Sequence, residues 1–490
     1  MRSPTPPPRP RPVSPHWLAS LAGLVLATSV PVVCAAQPAP EFPPVTLQSL
    51  SGSGLNIQRT MRLLATSTAE RPNTVRVLFY GQSITEQGWG RLVEADLRRR
   101  FPHADLVVEN RALGGFASQM LVKTAETDLY PYNPDLVIFH VYGSHERYED
   151  IIRRTRERTT AEILMQTDHV TSPGDLAEET DPTRLQPEKE QWNAFMNHRW
   201  LPELATRYGT ELCDQRSIWK DYLREHDLEP GVLLSDAVHL NPHGEWLMAQ
   251  CVIAWLRYDP TLGPSPAEEW ITTLEVGTDV AWRDGRLRIE FEGSGVEVIP
   301  SATPGATAEV WIDGRRPSEF PELHAPTRAL LVRDDGPAVK WPLIAPVLRT
   351  RPAVLENWVL TARAVDSAHT SFAFTLQGSR TGADGAGTSE AAFVSDSGRV
   401  AIAPDAWNVA YVMRLARIEP LPPTFTVSWS IVPLFLDQVR SESPADAREP
   451  RHVVAHGLAN TRHVLEMRGT AAAPIRAIRL HRPPLARSTP

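Results

Sequence analysis

At 490 residues the chain exceeds an ordinary single domain, and an apolar content of 42% with charges of mixed sign excludes a disordered or fibrous class. A formal net charge of −8 argues against a nucleic-acid binder, because phosphate backbones select clustered Lys and Arg. The basic run Arg98–Arg100 sits on an expected helix and reads as a solvated face.

The N-terminus has the pattern of an export signal. Arg2, Arg9 and Arg11 supply a positive start, and an apolar stretch follows from about Trp17 to Val33. It ends at Cys34-Ala35-Ala36, small residues suited to signal peptidase. An uncleaved anchor is the alternative, but the run is short and contains Pro31. The expectation is an exported protein, periplasmic or secreted, with residues 1–36 as signal and no membrane span after cleavage. Residues 37–74 read as a Pro-rich leader with a short helix over Asn56–Thr66. Cys213 and Cys251 either pair after export or stay as buried thiols; their positions leave both open.

A regular alternation then begins. Apolar runs at Val75–Tyr80, Leu106–Glu109, Leu136–Tyr142, Ile163–Gln166 and Glu211–Asp214 read as strands. Helical patterns fall between and after them, at Leu92–Arg100, Ser118–Leu129, Glu146–Arg158, Glu188–Tyr208 and Gly244–Tyr258. Strands that are apolar throughout and alternate with helices indicate a parallel sheet covered on both faces. The expected fold over residues 75–260 is therefore a three-layer α/β domain.

From about Pro260 helical periodicity disappears, and residues 261–490 read as an all-β sandwich. Leu287, Ile289 and Phe291 share one strand face, and Val310 and Ile312 precede the turn pair Asp313-Gly314. Further strands are expected at Trp358–Ala364, Phe372–Leu376, Phe425–Ile431, His463–Met467 and Ile475–Leu480, with flexible loops at Gly378–Gly387 and Glu442–Arg451. Trp282, Trp311, Trp341, Trp358, Trp407 and Trp429 offer faces for sugar rings, but most are expected to be packing residues.

Two short motifs carry chemistry. Gly81-Gln82-Ser83 follows the first strand, where a serine is presented at the carboxyl edge of the sheet and its N–H can donate to an oxyanion. A serine hydroxyl needs a base, and Asp236-Ala237-Val238-His239 before the last helix can supply one. His239 would take the serine proton, and Asp236 would hold the imidazole in the right tautomer. Alone, each motif is commonly a helix cap or a polar loop; together they are far more specific.

In order and spacing the two resemble the SGNH/GDSL hydrolases, esterases of flavodoxin-like topology whose nucleophile follows the first strand and whose Asp-x-x-His precedes the last helix. Gln82 stands where the family usually has Asp; carbohydrate esterases with Gly-Gln-Ser are known. Asn110-Arg111-Ala112-Leu113-Gly114-Gly115 looks like the second conserved block, which implies that Gly115 gives a further oxyanion N–H. The third block, Gly-x-Asn-Asp, is replaced by Gly143-Ser144-His145-Glu146, so the oxyanion Asn is missing. His145 is expected to substitute for it. Asp168 and His169 follow the fourth strand and are candidates for substrate binding.

The resemblance implies a serine esterase that acts on an acylated small molecule or polysaccharide, needs no cofactor or metal, and does not bind nucleic acid. Two other readings stay open. His145, Glu146, Asp168, His169, Asp236 and His239 are ligand types for a metal hydrolase, and the scaffold could hold a non-catalytic glycan-binding protein. A chain ending near Tyr258 is expected to keep activity on small esters.

Overall fold

The computed structural model describes residues 42–47, 52–333, 338–347, 354–442 and 451–486. The expected signal segment, with Arg2, Arg9, Arg11 and Cys34, lies outside the described residues, as do residues 443–450 of the expected second loop. Helix α1 (Gln58–Ala65) leads into five parallel strands, β1 (Thr74–Gly81), β2 (Asp105–Asn110), β3 (Leu136–His140), β4 (Glu162–Gln166) and β5 (Glu211–Cys213). Their order is β2-β1-β3-β4-β5, the flavodoxin-like arrangement. The strands β1 and β3 lie side by side at its centre, so the loops leaving their carboxyl ends share one crevice.

Strand periodicity divides the apolar side chains between two layers. Leu78, Tyr80, Val137, Phe139, Ile163 and Met165 point to one face. Val75, Val77, Phe79, Ile138 and Leu164 point to the other. The helices between strands are α2 (Ser83–Glu86), α3 (Trp89–Arg100), α4 (Ser118–Asp128), α5 (His145–Arg158), α6 (Pro173–Leu176), α7 (Trp192–Phe195) and α8 (Leu201–Tyr208). α9 (Gln215–Glu225) and α10 (Pro242–Trp255) follow β5.

Two departures from the expected helices matter. The single helix expected over Glu188–Tyr208 is interrupted by a π-helical turn at Met196–Trp200 between α7 and α8. α9 was not expected, because Arg216 and Lys220 are buried beside Trp219, Tyr222 and Leu223 and break the apolar stripe. Both cations pair with the Glu178 carboxylate, which makes their burial tolerable.

Beyond residue 260 the strands are antiparallel. One sheet contains β6 (Ile271–Glu275), β7 (Arg286–Pro300), β8 (Thr307–Ile312), β17 (Gln438–Arg440), β18 (His452–Gly469) and β19 (Ile475–His481). The other contains β9 (His324–Pro326), β10 (Leu330–Leu331), β11 (Asn357–Ala364), β12 (Phe372–Gly378), β13 (Gly382–Thr388) and β16 (Thr424–Pro433). A small ribbon joins β14 (Phe393–Val394) to β15 (Ala401–Ile402). Asp313 and Gly314 both take positive φ, as a type I′ hairpin turn requires. The expected loop Gly378–Gly387 is mostly strand β13 paired with β12. Its glycines hide the pattern, yet a Cβ on Gly387 would lie 2.8 Å from Phe393 and 2.9 Å from Phe374.

The parts of the chain before and after residue 260 pack against each other. The described residues from Pro44 onward form one compact unit. One apolar cluster runs from Leu113, Phe116 and Leu121 of the α/β part to Trp358, Leu360, Phe374 and Trp429 of the sheet that contains β11 and β16. The sheet that contains β7 and β18 keeps its own core around Leu287, Val298, Val310 and Leu465. It is tied to the parallel sheet by a buried ion network instead. Arg451 bridges Asp135 at 3.2 Å and Glu297 at 3.0 Å, and Arg59 pairs with Asp135 at 3.1 Å. These cations hold the Asp135 carboxyl at about 2 despite its burial.

Among the tryptophans, Trp358 and Trp429 are buried, and Trp407 packs on Phe374. Trp282 donates to the Thr470 carbonyl, and Trp311 lies against Arg316 and Arg468. Helix α11 (Val409–Leu415), also unexpected in a stretch read as all-β, comes to the candidate site.

Candidate active site

Ser83 opens α2 directly beyond β1. The turn before it is so tight that a Cβ on Gly81 would sit 2.3 Å from the His140 carbonyl oxygen, which explains the glycine. Asp236 and His239 come from the loop before α10. That loop is built by its own hydrogen bonds: the N–H groups of Val238 and His239 both donate to Asp236 Oδ1 at 2.8 Å. Asn241 then caps α10 by accepting from the N–H of His243 and of Gly244.

The loop brings the three expected residues together. Ser83 Oγ lies 2.9 Å from His239 Nε2, and His239 Nδ1 lies 2.8 Å from Asp236 Oδ2. A carboxylate only accepts, so Nδ1 carries the proton and Nε2 is the basic nitrogen facing Ser83. Hydrogen bonds from His239 N–H, Val238 N–H and the imidazole hold the Asp236 carboxyl at about 2. The site is open to solvent: the side chains of His239 and Asp236 are 40% and 58% exposed.

Gly115 has φ +82°, a conformation that favours glycine. No described residue accepts from the backbone N–H of Ser83 or Gly115. The neighbouring Gly114 N–H, by contrast, donates to Glu86 at 2.9 Å. Asn110 braces this segment to the serine loop by donating to the Thr85 carbonyl at 2.7 Å.

The region beyond residue 260 completes the wall, which sequence reasoning did not foresee. Trp341 donates its indole N–H to the Gly114 carbonyl at 2.8 Å, and Lys340 pairs with Glu86. On α11, Tyr411 donates to the Gly115 carbonyl, and Leu415 covers the α-carbon of Gly115. These contacts join residues far apart in sequence, and nothing local marks them. Gln87 was also missed. Its amide makes a reciprocal pair with the backbone of Leu240, donating at 2.8 Å and accepting at 3.0 Å.

Three other expected site residues are placed differently. His145 is not turned to the serine: its ring stacks between Trp192 and Trp200, with centroids at 4.0 and 4.5 Å. Its Nε2 meets Met196 Sδ at 3.0 Å. Both Met196 and Trp200 belong to the π-helical turn, whose irregular register the sequence did not reveal. Burial lowers the His145 pKa, which suits a neutral ring in an aromatic stack.

Asp168 and His169 are buried rather than open to a substrate. Asp168 pairs with His140 at 3.2 Å and with Asn197 at 2.9 Å. His169 Nε2 lies 2.8 Å from the Val238 carbonyl oxygen. Among the described residues no three His, Cys, Asp or Glu side chains converge as a metal site. Cys213 and Cys251 are both free and buried.

A cavity of about 1110 Å³ lies beside the triad, without touching it. It runs along edge strand β2 and is lined from both parts of the chain, with Glu86, Glu109, Arg91, Arg111, Arg328 and Lys340 among its walls.

No protein-family model matches the chain, and no curated protein does. Solved structures do. The chain is similar to LAE5, an alpha/beta hydrolase from the metagenome of Lake Arreo, at 19% identity, 39% of this chain, 98% of that one and a TM-score of 0.31. It is similar to Axe2, an acetylxylan esterase from Geobacillus stearothermophilus, at 18% identity, 39% of this chain, 98% of that one and a TM-score of 0.32. A two-domain esterase, CEX, active on acetylated mannans, matches at 15% identity over 89% of this chain and 98% of its own, with a TM-score of 0.35.

Proposed function

We propose that the chain is a serine esterase that removes short acyl groups, acetyl above all, from a carbohydrate. The observation that carries this reading is His239, which reaches Ser83 with one ring nitrogen and Asp236 with the other. Ser83 Oγ attacks the ester carbonyl while His239 Nε2 takes its proton. The charge that develops on the carbonyl oxygen is received by the N–H groups of Ser83 and Gly115. The intermediate collapses, His239 returns the proton to the departing sugar hydroxyl, and the acyl group stays on Ser83. Water then attacks the acyl-enzyme by the same proton route and releases the carboxylic acid.

The solvent-open triad supports a bulky hydrophilic substrate, since the acyl ester can be offered while the rest stays in water. The cavity along β2 mixes carboxylates with guanidinium groups, which suits hydroxyls that both donate and accept. The Gly81-Gln82-Ser83 block points to the same substrate class through its resemblance to carbohydrate esterases. Export follows from the N-terminal segment. Among the described residues no helix is long and apolar enough to cross a membrane.

Acetate release from a panel of acetylated glycans, with p-nitrophenyl acetate alongside, tests this. Faster release from at least one glycan than from a long-chain acyl ester is expected. Preference for the long-chain ester would overturn the carbohydrate assignment.

A further inference from the structure

His169 is 1% exposed and sits just beyond β4, with no atom assigned to substrate. Its Nε2 lies 2.8 Å from the carbonyl oxygen of Val238, the residue immediately before His239. A carbonyl only accepts, so Nε2 carries the proton. The other ring nitrogen, Nδ1, is buried without a hydrogen-bond partner among the described residues, which fits the bare nitrogen of a neutral ring. Apart from the contact of His239 with Ser83, the other bonds of the loop Ser235–His239 lie within itself: Ser235 N–H donates to the His239 carbonyl, and Asp236 accepts from Val238 and His239. Such a loop keeps its shape but not its place. From outside, Gln87 grips it after the histidine, at Leu240, and His169 grips it before the histidine, at Val238.

We propose that His169 is a positioning residue, whose Nε2–H donates to the Val238 carbonyl and holds His239 at attacking distance from Ser83. The proposal rests on the esterase reading above. The mounting of His169 is rigid: Arg216 donates to its backbone carbonyl at 2.9 Å, and Trp219 packs on its ring at 5.6 Å. Arg216 is in turn fixed by Glu178 and Asp175. The charged and titratable groups around the ring are Asp168, His140 and Arg216, and burial is the largest influence on it, lowering its pKa to about 4. The ring therefore stays neutral near pH 7 and keeps a single donor aimed at Val238. A pair set near 3 Å loses rate steeply when misplaced by about 1 Å, on the order of 100-fold.

The test compares His169→Leu, which fills the space without a donor, with His169→Gln, whose amide can present an N–H close to the original Nε2. Turnover of p-nitrophenyl acetate, KM and the low-field proton resonance of the His239 Nδ1–H are measured for both, with Ser83→Ala in parallel. His169→Leu is expected to lower kcat roughly 10- to 100-fold at nearly constant KM and to broaden that resonance. His169→Gln is expected to recover most of both. A folded His169→Leu protein with wild-type kcat and resonance would overturn the proposal. So would failure of a folded His169→Gln protein to recover either readout, and this comparison stands even where His169→Leu does not fold. Ser83→Ala retaining turnover would instead sink the esterase reading itself, so the two failures are told apart.

Discussion

The phenolic hydroxyl of Tyr411 donates to the carbonyl of Gly115, joining residues 296 positions apart in sequence. Gly115 is thereby held on its carbonyl side by a helix from the far part of the chain, while Trp341 holds the Gly114 carbonyl of the peptide whose N–H is proposed to face the oxyanion. Tyr411→Phe removes that one bond and leaves the ring. It is expected to lower kcat on small esters by on the order of tenfold, about the worth of one hydrogen bond, with little change in KM. Steady-state kinetics checks this, and an unchanged kcat would show that Gly115 needs no such support.

A chain ending near Tyr258 is expected to fail as a folded protein, which reverses the expectation from sequence. Removing the rest uncovers Leu113, Phe116, Leu121 and their neighbours, which share a cluster with Trp358, Phe374 and Trp429. Each large apolar side chain returned to water costs about 1.5–3 kcal/mol, and a whole domain holds only about 5–15 kcal/mol in reserve. The truncated chain also loses Arg451, leaving Asp135 with one fewer buried partner. Circular dichroism melting of soluble material decides the point; a cooperative transition near that of the full chain would contradict it.

His145→Ala is expected to behave as a packing mutation. Taking the ring from between Trp192 and Trp200 forfeits two aromatic contacts, together about 1–3 kcal/mol of stability. Loss of a true oxyanion donor would instead cost on the order of 100- to 1,000-fold in kcat. Urea unfolding beside steady-state rates separates the two, and a large kcat loss at unchanged stability would restore the donor role.

Burial of His169 also gives acid sensitivity a definite sign. Its pKa is about 4 in the folded protein, against an ordinary value near 6.5, so between those values the unfolded chain binds the extra proton. Stability from this group is complete above about pH 6.5 and declines as pH falls towards 4, by up to about 3 kcal/mol. His169→Gln does not titrate, so the gap between its unfolding free energy and that of the wild type should shift in favour of the variant across this window. Parallel curves for the two proteins from pH 7 to 4 would refute the assignment.

Much of this was legible in the sequence. Ser83 and Gly115 stand between a strand and a helix, and Asp236 and His239 stand in the loop before α10, where turn chemistry and order along the chain are local signals. The α/β strands were legible because the central ones, β1, β3 and β4, are buried on both faces. What could not be read depends on distant partners. His145 matched a family position, but its ring is claimed by tryptophans on a π-helical turn with no sequence signature. Asp168 and His169 looked like cleft residues because they follow a strand, yet His140, Asn197 and Arg216 enclose them. Helix α11 was missed because the strands around it set the reading of the whole region.

The central claim is that Ser83 is the nucleophile, and the most direct measurement is the rate of p-nitrophenyl acetate hydrolysis by a folded Ser83→Ala protein. The side chain is small and half-buried at the sheet edge, so the fold should survive its loss. A fall in kcat of roughly 10⁴-fold or more is expected, with the wild-type rate unaffected by EDTA. A Ser83→Ala protein that stays within about tenfold of wild type would contradict the account.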